Sequence, residues 1–192
     1  MDNRETKGLV IAISGPHGTG KSTYAKALAH ALKLQYLSAG ELFRELAKER
    51  KMSLEDFSHL AEHDPSVDRM IDERTKMKAK EGSVVIDAQL AAWMLRDVAD
   101  VKALLVAPDE VRFRRIAQRE HISISAARKE TLAREQIQKR RYKKYYGIDI
   151  CDLSIYDLRI DTGVRTIEET KSILLEKVRN LLSRRKVKSV ET

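Results

Sequence analysis

Residues 8–22 read GLVIAISGPHGTGKS, and this stretch decides the fold. Residues 8–14 are apolar and rich in β-branched side chains, the pattern of a strand buried on both faces. Then follows Gly15-Pro16-His17-Gly18-Thr19-Gly20-Lys21-Ser22, which fits G-x-x-x-x-G-K-[S/T] at every position. Beyond it Tyr24, Leu28 and Leu32 fall at helical spacing. Glycines let the backbone turn tightly, so that successive N–H groups point inward at phosphate oxygens. The helix that follows turns its positive end to the same anion. The stretch therefore predicts a nucleoside-triphosphate site at Gly15, Pro16, His17, Gly18, Thr19, Gly20, Lys21, Ser22 and Thr23. Lys21 is expected to reach the β- and γ-phosphates, and Ser22 to ligate Mg²⁺. His17 reads as a spacer, because neither metal-ligand spacing nor a nucleophile partner accompanies it.

Outward from this stretch the pattern alternates. Strands are predicted at residues 35–37, 83–87, 101–107 and 157–161. Helices are predicted at 41–50, from Ser53 to about 63, and from the Asp64-Pro65 cap to about 80. Further helices are expected at 90–98 and at 108–120. A long polar one capped by Ser123 or Ser125 should reach 146, and a last one should run from a Thr166 cap to about 183. Alternating strands and helices imply a parallel sheet wrapped by helices, the α/β class. No repeat or low-complexity linker divides the chain.

The chain has 192 residues, 42% of them apolar, which suits one ordinary domain and excludes a disordered chain. No apolar run is long enough to span a membrane. Residues 1–7 are polar, unlike a secretory leader. A single cysteine, Cys151, precludes an internal disulfide and fits the cytoplasm, the expected location. The 37 Lys+Arg exceed 29 Asp+Glu by +8, which points to a phosphate-bearing partner. Residues 112–146 hold twelve basic residues against three Glu, and residues 184–192 hold four against one. The surplus is thus one internal segment and one short tail. The tail is expected to be disordered.

Asp87 ends the apolar run Val84-Val85-Ile86. In open α/β sheets the ligand crevice lies beyond the carboxyl ends of the strands. A carboxylate there either holds Mg²⁺ beside the phosphate loop or caps the next helix.

Three stretches together resemble the archaeal cytidylate kinases. They are the phosphate loop, SAGELFRELA at 38–47, and RYKKYYGID at 141–149 with DLSIYDL at 152–158. The resemblance covers roughly residues 8–182. It implies a three-layer P-loop kinase with a central parallel sheet flanked by helices, a helical acceptor-binding region and a helical lid. Residues 1–183 would form one kinase domain, with the acceptor region at about 38–80, the lid at about 119–146, and the tail at 184–192. It also implies Mg²⁺-dependent phosphoryl transfer from ATP to CMP, and to dCMP. A monomer is expected, with no membrane or nucleic-acid partner.

Carried over residue by residue, Ser38 and Arg44 match the acceptor-site helix, where a guanidinium grips the monophosphate dianion in a bidentate way. Arg69 and Arg74 lie on the acceptor side, and either contact the nucleotide or pair with Asp68, Asp72 or Glu73. Arg112, Arg115 and Arg119 match VR-x-x-RI-x-x-RE, whose face borders the donor nucleotide. Arg134, Lys139 and Arg141 match basic lid positions that close on the transferred phosphoryl group. Arg140, Lys143 and Lys144 read as a solvated face, and Tyr142, Tyr145 and Tyr146 as packing at the lid hinge.

One region departs from the family. Asp87-Ala88-Gln89-Leu90-Ala91-Ala92-Trp93-Met94 keeps the acid, Leu90 and Trp93, but Gln89 stands where the family has Arg and both family glycines are Ala. Gln brings hydrogen bonds without charge, which weakens the grip on a monophosphate unless another Arg compensates. Alternatives therefore stay open. One is a kinase for UMP, AMP or another small acceptor. Others are an ATPase with a degenerate acceptor site and an ATP-binding protein associated with nucleic acid.

Overall fold

The apolar run of the opening stretch forms β1 (Val10–Ser14), whose side chains are all buried. The computed structural model describes residues 8–190; the polar residues 1–7, and 191–192 of the tail, lie outside the described residues. Around β1 stand β2 (Gln35–Ser38), β3 (Val84–Asp87), β4 (Val101–Val106) and β5 (Leu158–Asp161). All pairings are parallel, in the order β2-β3-β1-β4-β5. Parallel strands need crossovers, and helices supply them. The register sets Asp87 beside both Ile13 and Ser38. The phosphate loop, Asp87 and Ser38 therefore leave the sheet along one carboxyl edge.

On one face α1 (Lys21–Leu32) and α8 (Ile167–Val190) pack Leu28, Leu32, Leu174 and Val178 against Ile11, Ile13 and Leu105. Below the other face lie α5 (Ala91–Met94) and the end of α4 (Pro65–Glu81), where Ala79, Leu95 and Ala99 cover Val84 and Ile86. The other half of α4 joins α2 (Ala39–Glu49) and α3 (Leu54–His63) around a separate small core of Leu46, Phe57, Ala61, Val67 and Ile71. Finally α6 (Asp109–Glu120) and α7 (Ile124–Tyr146) meet through Ile116, Ala117 and Ala127. Among the described residues no helix is long and apolar enough to cross a membrane.

The helix starts follow capping chemistry. Ser53 Oγ accepts from Asp56 N, Asp64 from Ser66 N, and Ser123, not Ser125, from Ala126 N. At α8, Thr166 Oγ1 accepts from Glu169 N while the Glu169 carboxylate accepts from Thr166 N, a reciprocal capping box. The second helix begins at Ala39 rather than 41, because Ser38 Oγ caps it by accepting from Glu41 N.

Two expectations are corrected. The helix expected at 90–98 is a single turn, Ala91–Met94, followed by turns. The chain must enter β4 there, and Asp100 Oδ2 ties the entry by accepting from Val10 N at 2.8 Å. The tail is not disordered up to residue 190. Helix α8 continues to Val190, through the boundary expected at 183. No Gly or Pro follows Ser183 to stop it. Arg185 Nη2 also bonds Asp157 Oδ1 at 3.0 Å.

Candidate active site

The phosphate loop leaves β1 at Gly15 and enters α1 at Lys21. It is threaded between neighbours that only glycine tolerates. A Cβ on Gly15 would stand 2.2 Å from the Leu105 carbonyl oxygen. One on Gly18, whose φ is +79°, would stand 2.7 Å from the Arg112 carbonyl oxygen. Within the loop Pro16 O accepts from Thr19 Oγ1 at 2.9 Å and from Lys21 Nζ at 3.0 Å. Burial pulls the Lys21 ammonium below its ordinary pKa, against the opposing fields of Asp87 and Glu135. Thr23 sits exposed in the first turn of α1.

At the edge of β3, Ser22 Oγ donates to Asp87 Oδ2 at 2.6 Å, and Tyr36 OH donates to the same oxygen at 3.1 Å. Desolvation first, then the Asp87 charge, raises the Tyr36 phenol to about 12, so it stays a neutral donor. Ser22 and Asp87 offer hard oxygen ligands side by side, which suits Mg²⁺. Among the described residues no group of three or more His, Cys, Asp or Glu forms a metal cage. A metal here would thus complete its shell with phosphate oxygens and water. Asp87 caps no helix: α5 starts at Ala91, with no side-chain cap.

Two arginines of α6 brace the loop from outside. Arg115 donates to Thr162 Oγ1 at 3.0 Å and to the Thr162 carbonyl at 2.7 Å, and Thr162 Oγ1 in turn donates to Thr19 O at 2.9 Å. Arg112 donates to His17 O at 2.8 Å and pairs with Glu135 of α7 at 2.6 Å and Asp109 at 2.6 Å. Glu135 Oε1 also accepts from His17 N at 3.2 Å, and His17 Nε2 donates to Gln138 Oε1 at 2.8 Å. His17 is therefore more than a spacer: it is where the phosphate loop meets α7. Burial, then the charges of Arg134, Lys21 and Arg112, lower its pKa to about 3, which keeps the ring neutral.

Of the remaining cations, Arg134 has no hydrogen-bond acceptor among the described residues. Partial desolvation in the cleft, with repulsion from Arg119 and Arg44, holds its pKa below the ordinary guanidinium value. Arg134 thus lies within electrostatic reach of Lys21, Arg119 and Arg44, and Lys21 within that of Asp87. Arg119 is exposed and pairs with Glu120 at 2.6 Å. Arg44 lies exposed on α2.

The acceptor side divides the remaining expectations. Ser38 is buried and serves as the cap of α2. Arg69 and Arg74 are exposed on α4 and pair with none of Asp68, Asp72 or Glu73 among the described residues. By helical spacing Arg74 lies on the far side of α4 from Asp68 and Asp72. Gln89 Oε1 accepts from the buried Tyr142 OH at 3.1 Å. The three tyrosines do more than pack: Tyr145 OH donates to Glu62 O at 2.8 Å, and Tyr146 OH to Asp72 Oδ2 at 2.5 Å. Arg141 Nη2 donates to Asp68 Oδ1 of α4 at 2.8 Å. Lys139 Nζ reaches the exposed Cys151 Sγ at 3.4 Å.

Sequence reasoning missed Tyr36, Glu135, Gln138, Thr162, Asp68 and Asp72 as members of this cleft. Only Asp68 and Asp72 carried a signal, an i, i+4 acid pair on one helical face.

Comparison with known proteins agrees with this architecture. Residues 10–164 match the model of the cytidylate kinase-like family. A cytidylate kinase of Staphylothermus marinus is 47% identical over 174 residues, which cover 91% of this chain and 98% of the relative. One of Aeropyrum pernix is 50% identical over 167 residues, 87% of this chain and 97% of the relative. Among solved structures, a gluconokinase from Sinorhizobium meliloti superposes with a TM-score of 0.64 at 15% identity, covering 95% of this chain and 98% of the other. A shikimate kinase from Acinetobacter baumannii gives 0.59 at 15%, covering 96% and 98%. The two superpositions speak for the fold, and the sequence matches go further: this chain belongs to the cytidylate kinase-like family.

Proposed function

We propose that the chain transfers the γ-phosphoryl group of ATP to cytidine monophosphate, giving CDP and ADP, with dCMP as a second acceptor. One observation carries this reading: Ser22 Oγ meets Asp87 Oδ2 at 2.6 Å beside a phosphate loop that only glycine fits at Gly15 and Gly18, in a chain of this family.

Phosphoryl transfer asks the protein mainly for positioning and charge neutralisation. In this reading Lys21 and the N–H groups of residues 15–22 hold the triphosphate. A bound polyphosphate would push the Lys21 pKa back up. Ser22 and Asp87 hold Mg²⁺, which would neutralise charge on the β- and γ-phosphate oxygens. Tyr36 keeps Asp87 oriented. Arg44 grips the acceptor phosphate, with Ser38 at the foot of its helix. Arg134 and Arg119 neutralise the transferred group, and Arg115 fixes the loop from behind. No base is needed, because the acceptor oxygen is already anionic near neutral pH. Residues 1–183 act as one kinase domain, with 38–80 as acceptor region and 119–146 as lid. The charge on 112–146 thereby serves a small polyanion, and nucleic-acid binding is not needed to explain it.

Purified protein with ATP, Mg²⁺ and a panel of CMP, dCMP, UMP and AMP tests the reading. CDP should form with equal ADP. ADP release that ignores CMP would overturn it.

A further inference from the structure

Three polar groups of one loop residue, His17, are held from outside the loop. Its N–H donates to Glu135 Oε1 at 3.2 Å, its carbonyl accepts from Arg112 Nη1 at 2.8 Å, and its ring meets Gln138 Oε1 at 2.8 Å. Arg112 also clasps Glu135 with both terminal nitrogens, at 2.6 and 3.3 Å, and the two side chains are only 6% and 19% exposed. Glu135 and Gln138 stand three residues apart on one face of α7. Helix α7 is thereby fastened to the phosphate loop at mid-length.

The charges around the loop make a fastening necessary. Arg134, the neighbour of Glu135 in α7, acts on both His17 and Lys21 as a repelling cation, and so does Arg112. Until a polyanion binds, like charge pushes the middle of α7 away from the loop. Two acids oppose this at Lys21, Asp87 and Glu135. Asp87 belongs to β3 and holds no part of α7; Glu135 belongs to α7 itself. The ends of α7 rest elsewhere, Ala127 against Ile116 and Ala117, and Tyr145 and Tyr146 on Glu62 and Asp72. The distance of its middle from the loop is therefore left to Glu135 and Gln138.

We propose that Glu135 is a positioning residue for phosphoryl transfer: its carboxylate holds the middle of α7 on His17 and Arg112, and so keeps Arg134 at the phosphate loop. This rests on the function proposed above and deepens it, since in that reading Arg134 neutralises the transferred group. Glu135 acts through the loop and Arg112 and touches no reacting atom. The fastening also decides the fate of the γ-phosphoryl group. It can pass to a phosphate oxygen of CMP, giving CDP and ADP, or to water, giving ADP, inorganic phosphate and a proton. With α7 held on the loop, water is kept out; with α7 loosened, water competes.

The test is Glu135→Gln, which keeps the shape and one acceptor for His17 N but removes the charge. With ATP, Mg²⁺ and saturating CMP, CDP and inorganic phosphate are measured in the same reaction. The yield of CDP per inorganic phosphate released should fall about tenfold, the usual effect of losing one charge-assisted bond, with KM for CMP unchanged. A variant that had only lost stability would lower both products alike, because their ratio does not depend on how much protein is folded. An unchanged ratio would overturn the assignment. So would tighter ATP binding with full CDP yield, the mark of a carboxylate that blocks the loop at rest. A second measurement needs no turnover: amide hydrogen exchange of the nucleotide-free protein, read by mass spectrometry. Glu135→Ala should speed exchange in peptides covering 15–20 and 131–140 and leave those of β3 and β4 unchanged. Equal protection of the first two would overturn the assignment. If the unaltered protein forms no CDP while Glu135→Ala loosens those segments, the proposed function fails and the fastening stands.

Discussion

Ser22 and Asp87 meet across 2.6 Å and join the first turn of α1 to the end of β3. Asparagine in place of Asp87 preserves shape and removes charge. Asp87→Asn should lower kcat on the order of 10²-fold, the usual effect of losing one preorganised polar group, and should raise the Mg²⁺ concentration needed for half-maximal rate. A magnesium titration of coupled ADP release reads both. An unchanged requirement would remove Asp87 from the metal.

Lys21 is the one Lys or Arg among loop residues 15–23, and its ammonium bonds Pro16 O at 3.0 Å. Lys21→Ala should abolish CMP phosphorylation while the melting temperature holds within a few degrees. Near-full turnover would sink the donor-site assignment.

Arg112 is almost fully buried and serves His17 O, Glu135 and Asp109 at once. Its removal strands a carboxylate and a loop carbonyl. Arg112→Ala should therefore destabilise the fold by about 3–5 kcal/mol. Thermal unfolding would show it as a fall of roughly 6–20 °C for a domain of this size.

His17 and Asp72 pull stability in opposite directions as pH falls. His17 titrates at about 3 in the fold against 6.5 as a model group, so the unfolded chain binds the extra proton and acidification below 6.5 costs stability. Asp72 titrates at about 6 against 3.8, so the fold binds the extra proton and acidification between 6 and 3.8 restores stability. Between about pH 4 and 6 the two slopes cancel, each being roughly 1.4 kcal/mol per pH unit. Relative to the unaltered chain, Asp72→Asn should lose stability over that window on acidification and His17→Gln should gain it. Melting curves from pH 4 to 7 decide the sign.

Arg185 is half-exposed, and its pair with Asp157 is a surface contact. Arg185→Ala should cost less than about 1 kcal/mol and leave kcat and KM for CMP unchanged. A kinetic effect would give the end of α8 a part in the reaction.

The strand, loop and helix of residues 8–32 were legible because each obeys a local rule: apolar run, glycine loop, helical period. Asp87 was legible because a strand end in a parallel sheet has one meaning. Caps at Ser53, Asp64 and Thr166 followed from side chains that reach only their own backbone. What could not be read was set by distance in sequence. Tyr36 bonds Asp87 because β2 and β3 are neighbours in the sheet, which no local pattern states. His17 meets Glu135 and Gln138 across more than a hundred residues. The charge of Arg141 is visible in the sequence, while the Asp68 that pairs with it is one acid among several. At the tail exposed charge suggests disorder, but no Gly or Pro stops the last helix before Val190.

A single helix, α7, bonds the phosphate loop through Glu135 and Gln138 and, within the next turns, Asp68, Gln89, Glu62 and Asp72 through Arg141, Tyr142, Tyr145 and Tyr146. Whatever shifts one end of such a rod displaces the other. On the function proposed above, donor and acceptor would therefore bind at two ends of one element, and any effect of the first on the affinity for the second would be returned by the same factor.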